Sequence, residues 1–167
     1  MQAQQLLALQ FVLSLAAYML IAAWFAEPWL ARQTARRALM ILLVPQLFRH
    51  LGANLLAVGV AADSLPREFA IGTARGDLLT VGLAWLGLVS LRCRWRYGLA
   101  AVWLCNVVGC ADLLFNLIRA ARVGAAQHLA AAWYVPAFIV PCMLVSHALI
   151  FLRLWALKSL SLSDAGE

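Results

Sequence analysis

The sequence predicts an all-α integral membrane protein, a compact bundle of five transmembrane helices with the N-terminus outside and the C-terminus cytoplasmic. Three observations carry this. Hydrophobic residues make up 65% of the 167 and charged residues 12%, against roughly 45–50% and about 25% in ordinary soluble domains. Five apolar runs recur along the chain, each near the roughly 20 residues that cross a bilayer as a helix. Basic residues gather in alternate connections between the runs, as they do on cytoplasmic sides. Low-complexity tracts and long polar linkers are missing, so the chain reads as one transmembrane domain over residues 1–167.

The first run is Gln5–Ala26. Met1–Gln5 bear no positive side chain and the apolar stretch outlasts a signal-peptide core, so it reads as a retained helix. The second run is Ala38–Ala62, the third Ala70–Leu91 and the fourth Leu99–Ile118. The fifth, Leu129–Leu152, holds Pro136 and Pro141, which free backbone carbonyls and bend the helix. Arg32, Arg36 and Arg37 lie in the first connection, Arg92, Arg94 and Arg96 in the third, and Arg153 and Lys158 in the tail. The opposite side carries only Arg67, Arg75, Arg119 and Arg122. This asymmetry sets the orientation, and the expected localisation is a bacterial inner membrane.

Aromatic residues fit the frame. Trp24, Trp29, Trp95, Tyr97, Trp103 and Trp155 fall near the inner face, and Trp133 and Tyr134 near the outer. Trp85 lies deep in the third run and is a candidate binding residue instead. Small residues spaced for close helix packing are Gly72, Gly76, Thr80 and Ala84 in the third run. Cys105 and Gly109 in the fourth and Ala53 and Ala57 in the second extend the pattern.

Ionisable residues inside such runs are costly and normally face the bundle interior with a partner. At about 1.5 Å per residue from the cytoplasmic helix ends, Arg49 sits roughly 16 Å deep, His50 about 18 Å, and Asp77 and Asp112 about 20 Å. Gln46, Arg49, His50 and Asn54 share one helix face at three-and-four spacing, and so do Asn106, Gly109, Asp112, Asn116 and Arg119. The second, third and fourth helices are therefore expected to surround a polar centre. One arginine there faces two aspartates, so a proton, a protonated His50, a cation or water must complete the set. The loop Asp63–Gly76, with Pro66, Phe69 and Gly72, is expected to cover this centre from outside.

Several chemistries are excluded. The net charge of +6 comes from 12 Arg and one Lys at helix ends, with no basic stripe for nucleic acid. Cys93, Cys105, Cys110 and Cys142 form no C-x-x-C pair, and no Cys/His spacing resembles a zinc set, so no metal ligands are expected. His50 and His147 differ by roughly 10 Å in height, which argues against a shared haem and leaves no expected cofactor. Phosphate-binding loops and the G-x-S-x-G and H-E-x-x-H motifs do not occur. In size and helix count alone the chain resembles the translocator protein family; none of that family's tryptophan–proline motifs falls on it, so no residue role is taken over.

The expected function is binding a lipophilic, isoprenoid- or lipid-like molecule, with acid–base conversion by isomerisation, cyclisation or hydration. Asp112 or Asp77 would act as acid, the other carboxylate or His50 as base, and Arg49 would hold an oxygen-bearing head group. Gln46, Asn54, Asn106, Asn116, Trp85 and His147 would complete the binding surface. Two alternatives are a proton- or ion-coupled transporter, though the repeat many carriers show is missing, and an accessory or assembly subunit. Expected partners are the lipid bilayer, a lipophilic small molecule, and a second copy or a larger membrane complex, with no nucleic acid.

Overall fold

The computed structural model describes residues 2–163, with side chains as far as residue 157; Lys158 of the expected basic tail lies outside the described side chains. Five helices are long and apolar enough to cross a membrane. They are α1 (Ala3–Leu30), α2 (Ala35–Leu56), α3 (Arg67–Arg92), α4 (Gly98–Arg122) and α5, which enters through the 3₁₀ turn Ala130–Trp133 and the π turn Val135–Ile139 and continues as Val140–Ser163. Thr34 starts α2 by accepting the Arg37 backbone N–H at its hydroxyl, 3.3 Å. Among the described residues no strand forms; an isolated bridge joins Val58 and Ala61.

Prolines shape three of the helices. A proline lacks its own N–H, and its ring crowds the carbonyl four residues back. Just before Pro28, α1 widens into a π turn over Ala22–Ala26, with the Glu27 N–H bonded five residues back to Ala22 O. Just before Pro141, α5 does the same over Val135–Ile139, where the Val140 N–H reaches Val135 O. The wider turn relieves the ring clash without ending the helix. In α2 the response differs. After Pro45 the helix tightens into a nine-residue 3₁₀ segment, Phe48–Leu56, well beyond the usual 3–4 residues.

This changes two expectations. The second apolar run ends its helix at Leu56 and not at Ala62, because Gly59 turns the chain with φ near +80°. Ala57 consequently lies exposed beyond the helix and joins no packing stripe. The cover expected over Asp63–Gly76 is also shorter, since α3 begins at Arg67 and Phe69, Gly72 and Gly76 are helical.

α3 packs most extensively on α4 and α2, and α5 joins them from the side of α2 and α4. The packed interior has three layers. At the end bearing Arg32, Arg36, Arg92 and Arg94 (the basic end), Leu39, Leu43, Ala84, Val102, Cys105 and Ile150 form an apolar core. At the opposite, loop end, Leu55, Leu65, Phe69, Ala125 and Leu129 form a second. Buried polar side chains occupy the middle: Gln46, Arg49, Asp77, Thr80, Asn106 and His147. The exterior is apolar too, with Trp24, Phe25, Trp85, Tyr97, Phe138 and Trp155 more than half exposed. The first 19 residues of α1 contribute no buried side chain.

Candidate functional site

The 3₁₀ form of α2 decides which of its side chains point inward. At three residues per turn, positions three apart eclipse one another, and the buried residues of the segment are Arg49, Gly52 and Leu55. Arg49 thus projects between α3 and α4. Its Nε donates to Asp77 Oδ1 at 2.8 Å, and one terminal nitrogen meets the same oxygen at 2.7 Å. That nitrogen also donates to Asp112 Oδ2, while the other donates to Gly109 O at 2.7 Å. The guanidinium is wholly buried; the side chains of Asp77 and Asp112 retain 10% and 17% of their exposure.

A chain of hydrogen bonds continues towards the loop end. Asn116 Nδ2 donates to Asp112 Oδ1 at 3.0 Å, and the Thr73 hydroxyl donates to Asn116 Oδ1 at 3.2 Å. One cation meets two carboxylates in a place largely shielded from water. Burying three charges is favourable only with close geometry and satisfied hydrogen bonds; the geometry around Arg49 is close, and each of its three nitrogens has an acceptor.

Glycines make the room for these charges. A Cβ at Gly52 would run into Asp77 Oδ2, one at Gly76 into the Asp112 carboxyl group, and one at Gly72 into the Arg119 guanidinium. At Gly109 it would meet Thr80 Cγ2 at 2.7 Å and His147 Cε1 at 2.9 Å. The small-residue stripe on α3 therefore serves close packing and also supplies notches in which polar side chains sit.

On the loop-end side of the ion cluster lies a cavity of about 380 Å³, lined by residues of all five helices. Leu7 and Phe11 of α1, Leu113 and Leu117 of α4, and Ile139 and Met143 of α5 are among its apolar walls. Arg49, Gly52, Thr73, Asp77 and Asn116 form its polar side. The volume falls within the roughly 300–1,000 Å³ of small-molecule pockets, and apolar walls with a few convergent polar groups are the usual construction.

Of the residues expected at the polar centre, Arg49, Asp77, Asp112 and Asn116 come together there. Gln46 and the Asn106–His147 pair lie buried on its basic-end side. The Gln46 amide donates to Met143 O at 3.4 Å, and its Oε1 has no partner among the described residues. Asn106 Nδ2 donates to His147 O at 3.2 Å, which leaves Asn106 Oδ1 to accept from His147 Nδ1–H at 2.7 Å. His147 Nε2 is then a buried acceptor without a partner among the described residues. His147 thus bonds to the neighbouring helix α4 through Asn106.

Three expected residues stand apart. His50 is exposed and donates from Nδ1 to Leu47 O at 2.8 Å, because the 3₁₀ twist turns it away from the face of Arg49. Asn54 follows the same twist and donates to the Tyr134 hydroxyl at 3.3 Å. Trp85 is 55% exposed on the outer surface of α3 and touches neither cluster nor cavity. Conversely, the sequence reading passed over Thr73 and Gly52, and with them the apolar walls. Thr73 lies four residues before Asp77 on α3, the spacing that could have found it.

Among the described residues no group of three or more His, Cys, Asp or Glu side chains is placed to hold a metal ion, and the four cysteines are free. No curated protein and no solved structure matches the chain. A family model described as a domain of unknown function, DUF8737, matches residues 6–155, and the chain belongs to that family.

Proposed function

We propose that the protein resides in a membrane and binds a lipophilic small molecule in the cavity at the loop end, with the molecule's polar group against Asp77. The observation that carries this reading is the adjacency of an apolar cavity and a buried ion cluster, which share Arg49 and Asp77 as wall. An outer surface of exposed tryptophans and phenylalanines supports residence in lipid, since contiguous apolar exteriors mark membrane contact. The gathering of Arg32, Arg36, Arg37, Arg92, Arg94 and Arg96 at one end supports a cytoplasmic basic end and an outer loop end. A bacterial inner membrane is the localisation we favour on the same grounds.

Besides Arg49, Asp77 is the titratable side chain lining the cavity. Proton transfer to a bound molecule therefore runs through Asp77, with Asp112 positioning it through their shared arginine. His50 takes no part in this scheme.

Native mass spectrometry of the protein released from mild detergent tests the reading. A retained lipophilic adduct is expected on the wild type, and its loss is expected in Leu117→Trp, where the indole fills the cavity while helical content by circular dichroism stays unchanged. An adduct held equally by both proteins, or by neither, overturns the reading.

A further inference from the structure

The polar wall of the cavity has a chemical polarity of its own. Most of its donors are engaged inside the protein. Arg49 Nε and both terminal nitrogens of its guanidinium bond Asp77, Asp112 and Gly109. The Thr73 hydroxyl hydrogen goes to Asn116, and Asn116 donates to Asp112. Gln4, also in the lining, is exposed on the first turn of α1.

A charged acceptor remains free. Asp77 Oδ1 takes both bonds from Arg49, whereas Asp77 Oδ2 accepts nothing from the described residues and lies against Gly52, itself part of the cavity wall. The charge count points the same way: two carboxylates face one guanidinium. Arg119, two turns further along α4, does not redress the balance. It donates to Glu68 O at 3.3 Å and lies 5.6 Å from the Phe69 ring centroid and 5.7 Å from that of Phe115.

We infer that the cavity, read as above as a lipophile site, selects an amphiphile with one cationic, hydrogen-donating head, a lipophilic amine, over acids and neutral alcohols. The ammonium group donates to Asp77 Oδ2 and supplies the positive charge that the cluster lacks, while the alkyl part covers Leu113, Leu117 and Ile139. A carboxylate in the same place would meet Asp77 as a like charge, and like charges in low dielectric repel strongly. The oxygen-bearing head group expected for Arg49 is disfavoured because that guanidinium is wholly buried and bonded to Asp77, Asp112 and Gly109.

The test compares dodecylamine, dodecanol and dodecanoic acid on the full-length protein in phosphatidylcholine nanodiscs, with Leu117→Trp as the measure of bilayer partitioning. Dodecylamine is expected to bind wild type about tenfold or more tightly than either other probe, equivalent to about 1.4 kcal/mol or more. In Asp77→Asn this preference is expected to shrink to within about threefold. If the acid or the alcohol matches the amine, or Asp77→Asn keeps the preference, the inference of an amine falls while lipophile binding stands. If no probe binds wild type above Leu117→Trp, both fall. The wild-type ranking decides the question even if Asp77→Asn fails to fold.

Discussion

The Arg49 side chain is wholly buried and has two acidic partners to abandon. Removing one member of a buried ion cluster costs about 3–5 kcal/mol, because the remaining charges stay desolvated. Arg49→Leu is accordingly expected to lose about that much stability, read as the unfolding midpoint in mixed micelles, and the triple replacement Arg49→Leu, Asp77→Leu, Asp112→Leu to recover most of it. A single variant as stable as wild type would show that the cluster does not hold the bundle. The meeting of these three residues was legible in the sequence, because charges inside apolar runs are conspicuous and helix rise gives their depth. The exclusion of His50 was not. Whether it shares a face with Arg49 depends on 3.6 or 3.0 residues per turn, and the tight turn follows from Pro45 and the packing around it.

At the scale of elements, the three proline responses separate helices that only bend from one that changes type. The π turns before Pro28 and Pro141 leave α1 and α5 continuous. The 3₁₀ segment Phe48–Leu56 carries Arg49 and ends in the turn at Gly59. Its hydrogen bonds are geometrically poorer than those of an α-helix, and poorly bonded elements open more readily. Hydrogen exchange in micelles should therefore be faster for amides 48–56 than for 74–84 in the middle of α3; equal protection would mean that the segment is as firm as its neighbours. The prolines were visible in the sequence as points of disturbance. Which response each would take was not, because Pro28, Pro45 and Pro141 obey the same local rule and differ in what surrounds them. The glycine notches were hidden similarly: Gly72 and Gly76 read as packing residues, and only the opposing Arg119 and Asp112 reveal their second use.

For the whole molecule, the orientation proposed from the basic clustering is one that a native residue can report. Cys93 is exposed in the connection between α3 and α4 at the basic end, whereas Cys105 is buried and Cys110 and Cys142 are half-buried within helices. A membrane-impermeant maleimide should label Cys93 in inside-out vesicles and leave it unlabelled in right-side-out ones; the opposite result would invert the proposed topology. That the chain makes five long apolar helices follows directly from its composition. The cavity does not, because it depends on how residues far apart in sequence, such as Leu7, Leu117 and Ile139, face one another across the bundle.

The sparse attachment of α1 carries a final consequence. Over Ala3–Ile21 it buries no side chain, yet Leu7, Ala8 and Phe11 wall the cavity. Besides packing along α5, it is held by specific contacts: Trp133 Nε1 donates to Gln10 at 2.5 Å, the Tyr18 and Phe138 rings meet at a tilt with centroids 5.5 Å apart, and Arg153 pairs with Glu27 at 2.7 Å. In the proposed bilayer its outward face already meets hydrocarbon, and parting its half-buried inner face from α5 would trade apolar protein neighbours for acyl chains and not for water.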